Sequence, residues 1–255
     1  MSDNQFVRSA GFLPDSKIGP SPRAIPASIL ERFRKLNDLS STMSDVLDDK
    51  GITSTIGSSR LRPTIPEARI VGRAITVRNV PQRADPHRAA VENINMMSEV
   101  EGIHQCSPGD VLVIQGVPDV SNMGGVMATI SKRQGLAGAV VDGGIRDVGH
   151  SRRLGLPIWT KDISPITGKW RCVTESVNTP INVMGVAVHP GDLVIADETG
   201  VCFVPQDLIE EMLTHCETVH SKEDDWVKRL DSGMSIPELV KRIYPGIPQM
   251  TPVLA

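Results

Sequence analysis

The stretch SNMGGVMATISKRQGLAGAVVDGGIRDV, residues 121–148, decides the fold that this sequence predicts. Gly124 and Gly125 precede apolar residues at roughly helical spacing, which predicts a helix over residues 126–134. Because the first backbone N–H groups of a helix have no partner inside it, this helix start can hold an anion. The almost wholly apolar run at 136–141 is typical of a strand buried on both faces.

A second buried-strand pattern lies upstream, at residues 111–115. The order strand, helix, strand predicts a right-handed crossover between two parallel neighbours. Since parallel strands place their carboxyl ends at one edge of a sheet, the glycine turn and the loop after the second strand should face one crevice. Three charged residues are expected in that loop: Asp142, Arg146 and Asp147.

The composition favours one large α/β domain. The chain has 255 residues, and hydrophobic residues reach 40% while aromatic residues are only 3%, so the core must be largely aliphatic. The net charge of -3 argues against nucleic-acid binding, which needs a concentrated positive field. No apolar run approaches the ~20 residues that a membrane helix requires, and no signal segment is apparent, so we expect no membrane association and a cytoplasmic location.

Three regions are predicted along the chain. Residues 1–27 are rich in proline and serine and predict an irregular arm. Residues 28–205 form the predicted core, and residues 206–255 a helical extension with a proline-containing tail. Within the core, strands are predicted at 68–80 and 156–160, and a β-rich segment at 171–204.

Helix starts are also readable. Ser28 with Glu31 and Ser235 with Glu238 have the spacing of a capping box, and Ser41 to Asp49 predicts a further helix. Asp85–Pro86 offers an N-cap and a first-turn proline for a helix carrying Val91, Ile94 and Met97.

The four cysteines, Cys106, Cys172, Cys202 and Cys216, are scattered without the spacing of a zinc site, so we expect reduced and mostly buried thiols. Cys216 and His220 are four residues apart and would suit a metal pair on a helix. A packed or solvated helix face accounts for the same spacing.

From about Met43 to Pro205 the sequence resembles the RraA-like family, which includes metal-dependent 4-hydroxy-4-methyl-2-oxoglutarate aldolases and non-enzymatic regulators of ribonuclease E. The stretches that carry the resemblance are MSDVLDDKG (43–51), GRAITV (72–77), PGDVLVI (108–114), GGVMATISKRQGLAGAVVDGGIRD (124–147), LGLPIW (154–159) and HPGDLVIADETGVCFVP (189–205). The resemblance implies an α/β fold of the swivelling β/β/α type, with parallel strands, a β-rich second half and C-terminal helices. It also implies a homotrimer or a hexamer, with sites formed between subunits.

The resemblance implies roles for the central residues. In the aldolases the arginine of the motif contacts the keto oxygen of a pyruvoyl group, and the neighbouring aspartate binds a divalent ion, Mg²⁺ or Mn²⁺. These positions are Arg146 and Asp147 here. Amides after the glycine turn, formed by Gly124 and Gly125, hold the substrate carboxylate, which places that role on Val126 and Met127.

The chemistry explains these residue types. Cleavage of the carbon bond next to a 2-oxo acid leaves a pyruvate enolate, so fixed positive charge is needed where the keto oxygen becomes negative. A divalent cation and Arg146 can supply that charge. Asp147 offers a hard oxygen ligand, and water fills the remaining positions.

One position departs from the aldolase pattern. Many aldolases of the family have an aspartate as the second residue of the glycine turn, where it holds a metal-bound water, whereas this chain has Gly125. Asp142 is a candidate catalytic residue that could compensate, or it makes a structural hydrogen bond at a strand end. Glu223, from the C-terminal helix of a neighbouring subunit, is a candidate to reach the metal through water.

A purely structural role would also account for several of these residues. Arg146 and Asp147 could form an ion pair that stiffens a glycine-rich loop, and the glycines could serve only the close approach of helix and strand. His150 follows the loop and is more often structural than catalytic in such a place. Lys161 after a strand suggests a Schiff-base aldolase, but no neighbouring residue supports it.

The sequence therefore predicts a divalent-metal-dependent lyase of a small 2-oxo acid. Its reaction would be retro-aldol cleavage of 4-hydroxy-2-oxo acids, decarboxylation of oxaloacetate, or both, through a pyruvate enolate. Two alternatives remain: a non-catalytic regulatory or binding protein, and a hydratase or hydrolase of a 1,3-dicarbonyl or oxo acid.

Overall fold

The computed structural model describes residues 9–244, so the first eight residues of the predicted arm and the predicted tail after Tyr244 lie outside the described residues. The α-helices are α1 (Ala27–Arg34), α2 (Leu39–Asp49), α3 (Pro86–Val91), α4 (Glu99–Gln105), α5 (Gly125–Gln134), α6 (Val148–Leu154), α7 (Ile209–Asp231) and α8 (Ile236–Ile243). The strands are β1 (Thr55–Gly57), β2 (Arg62–Pro63), β3 (Ile70–Pro81), β4 (Val111–Gln115), β5 (Gly138–Ile145), β6 (Ile158–Ile163), β7 (Cys172–Val177), β8 (Ile181–Val183), β9 (Val186–Val188), β10 (Leu193–Ala196) and β11 (Gly200–Val204).

A mixed sheet organises the molecule in the order β1-β11-β10-β3-β4-β5-β6-β2, and β7 also pairs with β3. Strands β3 to β6 are parallel neighbours, whereas β10 and β11 add antiparallel pairs. In this register Val113 lies opposite Thr76 on one side and Val140 on the other. The predicted crossover from β4 through α5 to a parallel β5 is confirmed, and with it the α/β class of the fold.

The core follows from residues that alternate across the sheet. Leu112 and Ile114 join the cluster under α4 and α5, while Val111 and Val113 join a cluster on the opposite side. The second cluster takes apolar side chains from the β8–β9 hairpin and from β10 and β11. A third cluster packs α1, α2 and α7 against β10 and β11.

Several local predictions are confirmed. Strand β4 has the predicted bounds, β7 to β11 fill the β-rich segment, and α2 covers the predicted helix. The side chain of Asp85 caps α3 by accepting from Arg88 N, and Ser235 with Glu238 forms the capping box of α8. The four cysteines are free and buried.

Three local predictions are wrong. Helix α1 begins after Pro26 with no side-chain cap, so Ser28 is not its N-cap. Helix α3 ends at Val91, before the expected Ile94 and Met97. The predicted charged loop is also shorter, because β5 continues through Gly143 and Gly144 to Ile145, and Asp142 is therefore a strand residue.

No helix within residues 9–244 is long and apolar enough to cross a membrane.

A buried ion pair ties the sheet to the turn before β4. Arg73 donates from Nε to Oδ1 of Asp110 at 3.0 Å and from Nη2 to Oδ2 at 2.6 Å. The side chains of both residues are 8% exposed. Arg73 also donates to the carbonyl oxygen of Pro22 at 2.7 Å. The pair therefore links β3, the turn and the arm.

We expect Asp110→Ala to lower the free energy of unfolding by about 3–5 kcal/mol, because it leaves a buried guanidinium without its counter-charge. Urea denaturation measures this. Glu92→Ala removes one partner of the exposed Arg88–Glu92 pair and should cost at most ~0.5 kcal/mol. Equal losses in the two variants would contradict the stabilising role of the buried pair.

Candidate active site

The first turn of α5 has backbone N–H groups without partners inside the helix. Gly124 is the N-cap, in an extended conformation, and the first helical hydrogen bond runs from Ala128 N to Gly124 O at 2.9 Å. The N–H of Gly125 donates to Asp147. The N–H of Gly125 is therefore not available for an anion, whereas those of Val126 and Met127, to which the resemblance assigns the substrate carboxylate, make no hydrogen bond within residues 9–244.

Asp147 connects the helix start to the end of β5. Its Oδ2 accepts from the Gly125 N–H at 2.9 Å and lies 3.6 Å from Nε of Arg146. Oδ1 makes no hydrogen bond to any residue in the described range 9–244, and the side chain is 49% exposed. The pair is therefore an ion pair that also leaves one carboxylate oxygen for a ligand.

The two glycines are explained by what surrounds them. A Cβ on Gly124 would lie 3.0 Å from Nε of Arg146, and a Cβ on Gly125 would lie 3.2 Å from Cβ of Asp147 and from Cδ2 of His150. These distances are tighter than ordinary van der Waals contact. The turn therefore allows the Arg146 and Asp147 side chains to pack directly on the helix start.

The chain before the glycines is fixed by Asn122, whose side chain is fully buried. Its amide nitrogen donates to the carbonyl oxygens of Val117 (2.9 Å) and Val120 (3.0 Å). Its amide oxygen accepts from Val117 N at 2.8 Å and from Nδ2 of Asn79 at 3.3 Å. Its backbone N–H donates to Gly144 O at 2.7 Å, which binds this turn to β5.

These elements border a cleft of about 410 Å³. The lining residues come from the arm, the segment 95–100, the start of α5, the end of β5 and the segment 167–169. They are Phe12, Asn95, Met97, Glu99, Val100, Ser121, Gly124, Gly125, Val126, Met127, Ile130, Arg146, Asp147, Thr167, Gly168 and Lys169. All five predicted substrate-binding residues and the predicted metal ligand Asp147 are among them.

Glu99 is a cleft residue that the sequence reasoning missed. It is the first residue of α4 and is 9% exposed. Burial raises its pKa to about 7, although its own backbone N–H and the positive charges of Arg146 and Lys169 act in the other direction. A carboxyl with this pKa exchanges protons at neutral pH and suits general acid–base work. Ser98 before Glu99 is the one sequence signal for this helix start.

Asp142 is not brought to the cleft. It shares a sheet face with Val140, on the side opposite α5, and its Oδ2 accepts from Met184 N at 2.7 Å. Asp142 therefore does not line this cleft, and its hydrogen bond with Met184 fits the structural alternative that the sequence left open. The strand alternates its side chains, so Asp142 points away from the face that carries the helix start.

Three other candidates lie elsewhere in this chain. Glu223 is exposed on α7 and does not line the cleft, so its approach from a neighbouring copy stays a prediction. His150 shares a hydrogen bond of 2.8 Å with the hydroxyl of Thr129, which ties α6 to α5. Lys161 is exposed on β6 and borders a different depression.

The carboxylate of Asp147 suits Mg²⁺ or Mn²⁺. Such ions are held by as few as one or two carboxylates when water and substrate oxygens complete the shell. Within residues 9–244 no group of three or more His, Cys, Asp or Glu side chains is arranged to hold an ion. Cys216 and His220, the candidate metal pair of the sequence, belong to no such group. An ion at Asp147 would therefore depend on substrate and water for most of its ligands.

Comparison with known proteins identifies the family. The profile of the RraA-like family, described as Aldolase/RraA, matches residues 40–203. The chain belongs to the RraA-like family. It is 29% identical over 208 residues to a protein of Halalkalibacterium halodurans named a putative 4-hydroxy-4-methyl-2-oxoglutarate aldolase, which covers 80% of this chain and 91% of that protein.

Two other relatives show the range of this RraA-like family. Protein DlpA of Legionella pneumophila is 26% identical over 235 residues, which are 91% of this chain but 36% of DlpA. The crystal structure of Streptomyces coelicolor RraAS2, described as an unusual member of the RNase ES inhibitor RraA protein family, aligns with this chain at a TM-score of 0.67. It is 27% identical and covers 79% of this chain and 96% of its own. The relatives of this chain thus include a protein named as a putative aldolase and a member of a family named for ribonuclease inhibition.

The raised pKa of Glu99 makes stability depend on pH. Between about pH 4.5 and 7 the folded protein keeps a proton on Glu99 that the unfolded chain has released, so stability falls as pH rises through this window. Glu99→Gln removes this titration. The quantity to measure is the unfolding free energy of Glu99→Gln minus that of the original chain, from urea denaturation at each pH. We expect this difference to increase by about 2–4 kcal/mol between pH 4.5 and pH 8, because only the original chain loses stability over this range. A difference that does not change with pH would contradict this assignment.

Proposed function

We propose that this protein is a divalent-metal-dependent lyase that cleaves a small 2-oxo acid through a pyruvate enolate. The observation that carries the proposal is that the N–H groups of Val126 and Met127, which have no partner within residues 9–244, meet Arg146 and Asp147 at one cleft. The carboxylate of the substrate would bind the two N–H groups. This arrangement supports retro-aldol cleavage of 4-hydroxy-2-oxo acids, decarboxylation of oxaloacetate, or both.

Arg146 would stabilise the negative charge that develops on the keto oxygen. Its guanidinium is fixed beside Asp147 and next to Gly124, so it needs little rearrangement during the reaction. Asp147 would hold the divalent cation, which when bound supplies further positive charge at that oxygen. The relatives named as aldolases support this reaction class.

Glu99 would carry the proton. In retro-aldol cleavage its carboxylate takes the proton of the C4 hydroxyl, the C3–C4 bond breaks to a carbonyl product and an enolate, and the proton is returned to C3 to give pyruvate. In decarboxylation the same bond breaks with loss of CO₂, and a protonated Glu99 delivers the proton to C3. Because the pKa of Glu99 is raised to about 7, both forms are populated at neutral pH.

A coupled assay of pyruvate release tests the proposal. With Mg²⁺ present, we expect turnover of oxaloacetate or a 4-hydroxy-2-oxo acid, and loss of turnover in EDTA. Arg146→Ala should lower kcat by about 10²–10³ because it removes charge from the developing enolate oxygen. Arg133→Ala, in the last turn of α5 outside the cleft, is the matched control and should leave the rate unchanged. Release of no pyruvate from these substrates would refute the proposal.

A second candidate function is that of a non-catalytic regulator. Gly125, at a position where many aldolases of the family carry an aspartate, and the likeness to RraAS2 favour it. Metal binding separates the two functions. For the lyase we expect Mg²⁺ to raise the melting temperature, and Asp147→Asn to abolish that rise because it removes the anionic ligand. A melting temperature that is the same with and without Mg²⁺ would favour the regulator.

We propose that the protein assembles as a homotrimer or a hexamer. In this assembly Glu223 of a neighbouring copy would reach the metal through water. Light scattering of the purified protein measures the assembly directly.

A further inference from the structure

One carboxylate holds the N-terminal arm beside the cleft. Glu101 on α4 is inaccessible to solvent, and its Oε1 accepts from the N–H groups of Phe12 at 2.6 Å and Leu13 at 3.1 Å. Its two oxygens also accept from the Ser9 hydroxyl at 3.0 Å and the Ala10 N–H at 2.7 Å. The segment 9–13 therefore wraps around a single side chain.

This attachment is electrostatic. Desolvation alone would raise the pKa of Glu101, but the hydrogen bonds from Ala10, Phe12, Ser9 and Leu13 together outweigh it and hold the pKa below its usual range. The carboxylate is thus ionised at neutral pH, and hydrogen bonds to an ionised acceptor are stronger than those between neutral groups. Their contribution is lost only as the pH falls through the lowered pKa.

The arm is also anchored after residue 13. Ile18 is 2% exposed and belongs to the cluster under α4 and α5, and the N–H of Gly19 donates to Val177 O on β7 at 2.8 Å. Leu13 packs against the same cluster. With attachments on both sides, the backbone of Phe12 has a fixed position.

The fixed backbone places an apolar side chain at the cleft. Phe12 is 68% exposed and lines it. Val126, on the first turn of α5, lines the cleft and is 70% exposed. Exposed apolar side chains that border one cleft are typical of a surface that contacts another molecule. Met97 and Val100 add to this apolar part, which draws on the arm, the segment 95–100 and α5.

We propose that Phe12 determines which 4-hydroxy-2-oxo acids this site prefers, by contacting an apolar group at the distal end of the substrate, on the part that leaves when the C3–C4 bond breaks. The inference rests on the proposed function, which assigns the other end of the substrate to the helix start. Met97 and Val100 would complete the apolar contact.

The charges of the cleft agree with an apolar distal group. Its cationic lining residues are Arg146 and Lys169. Arg146 is assigned to the keto oxygen, and the positive charge of Lys169 acts on Glu99. A distal carboxylate would compete with Glu99 for Lys169. The family match covers residues 40–203, so the arm lies before the matched part of the chain.

Calorimetric titration with stable 2-oxo acids tests the inference without turnover. In the presence of Mg²⁺, 2-oxohexanoate should bind more tightly than 2-oxoadipate, which carries a distal carboxylate. Phe12→Ala should weaken 2-oxohexanoate binding by roughly 10-fold, as expected for the loss of an apolar contact, and leave pyruvate binding unchanged. Phe12→Leu should retain most of the affinity.

Two further variants separate a local effect from a general one. Glu101→Gln removes the charge that holds the arm, so it should reproduce the selective loss of Phe12→Ala. Tyr244→Ala removes another exposed aromatic side chain, at the end of α8, and should change neither affinity. Thermal melting of each variant confirms that it is folded.

Failure of the inference differs from failure of the proposed function. If 2-oxoadipate binds as tightly as 2-oxohexanoate, or if Phe12→Ala weakens all three ligands equally, the specificity role is refuted while pyruvate release can still stand. If Phe12→Ala changes the assembly in light scattering and not the ligand preference, Phe12 is a subunit contact and the inference is also refuted. Binding that keeps its preference without any pyruvate release refutes only the proposed reaction.

Discussion

The side-chain amide of Asn122 is buried where the chain passes from β4 towards α5, and it uses all of its hydrogen-bonding capacity there. Two donors meet carbonyl oxygens of Val117 and Val120, and the oxygen accepts from Val117 and Asn79. The backbone of the same residue is bonded to Gly144 on β5. A polar network that is satisfied in a low-dielectric interior has few alternative arrangements. The glycine turn and the end of β5 are therefore held together before any ligand binds.

From this constraint follows the charge distribution of the cleft. The helix start contributes partial positive charge, and Arg146 adds a full one. Asp147, which lines the cleft, balances both and keeps one carboxylate oxygen without a hydrogen bond within residues 9–244. Glu99 lies in a drier place, where burial favours its neutral form. Fixed cationic groups beside a carboxyl that exchanges protons near neutrality are what an enolate reaction requires, since charge develops at oxygen while a proton moves to carbon.

The sequence was sufficient to predict the central unit because its signals are local. Apolar runs mark β4 and β5, and a helical period between two glycine positions marks α5, so the crossover and the position of Arg146 and Asp147 could be derived. The continuation of β5 through Gly143 and Gly144 could not, because it depends on pairing with β6, as between Gly144 and Asp162. That pairing moved Asp142 from the expected loop to the opposite face of the sheet.

The parts of the cleft formed by α4 and by the arm could not be predicted from the sequence, because they depend on contacts between residues far apart in the chain. Helix α4 is short, and its Glu99 acquires its properties from burial and from charges distant in sequence. The arm looks irregular in sequence because its order comes from Glu101, about ninety residues away. The resemblance to the RraA-like family predicted the fold and the role of Arg146, but it does not extend to the arm.

The central claim is that this cleft forms a pyruvate enolate, and exchange of the methyl protons of pyruvate with solvent deuterium tests it without knowledge of the distal substrate group. Proton NMR in D₂O follows the exchange. The account predicts loss of the methyl signal that requires both the protein and Mg²⁺ and that stops on addition of EDTA. A methyl signal that decays no faster than in buffer with Mg²⁺ alone would contradict it.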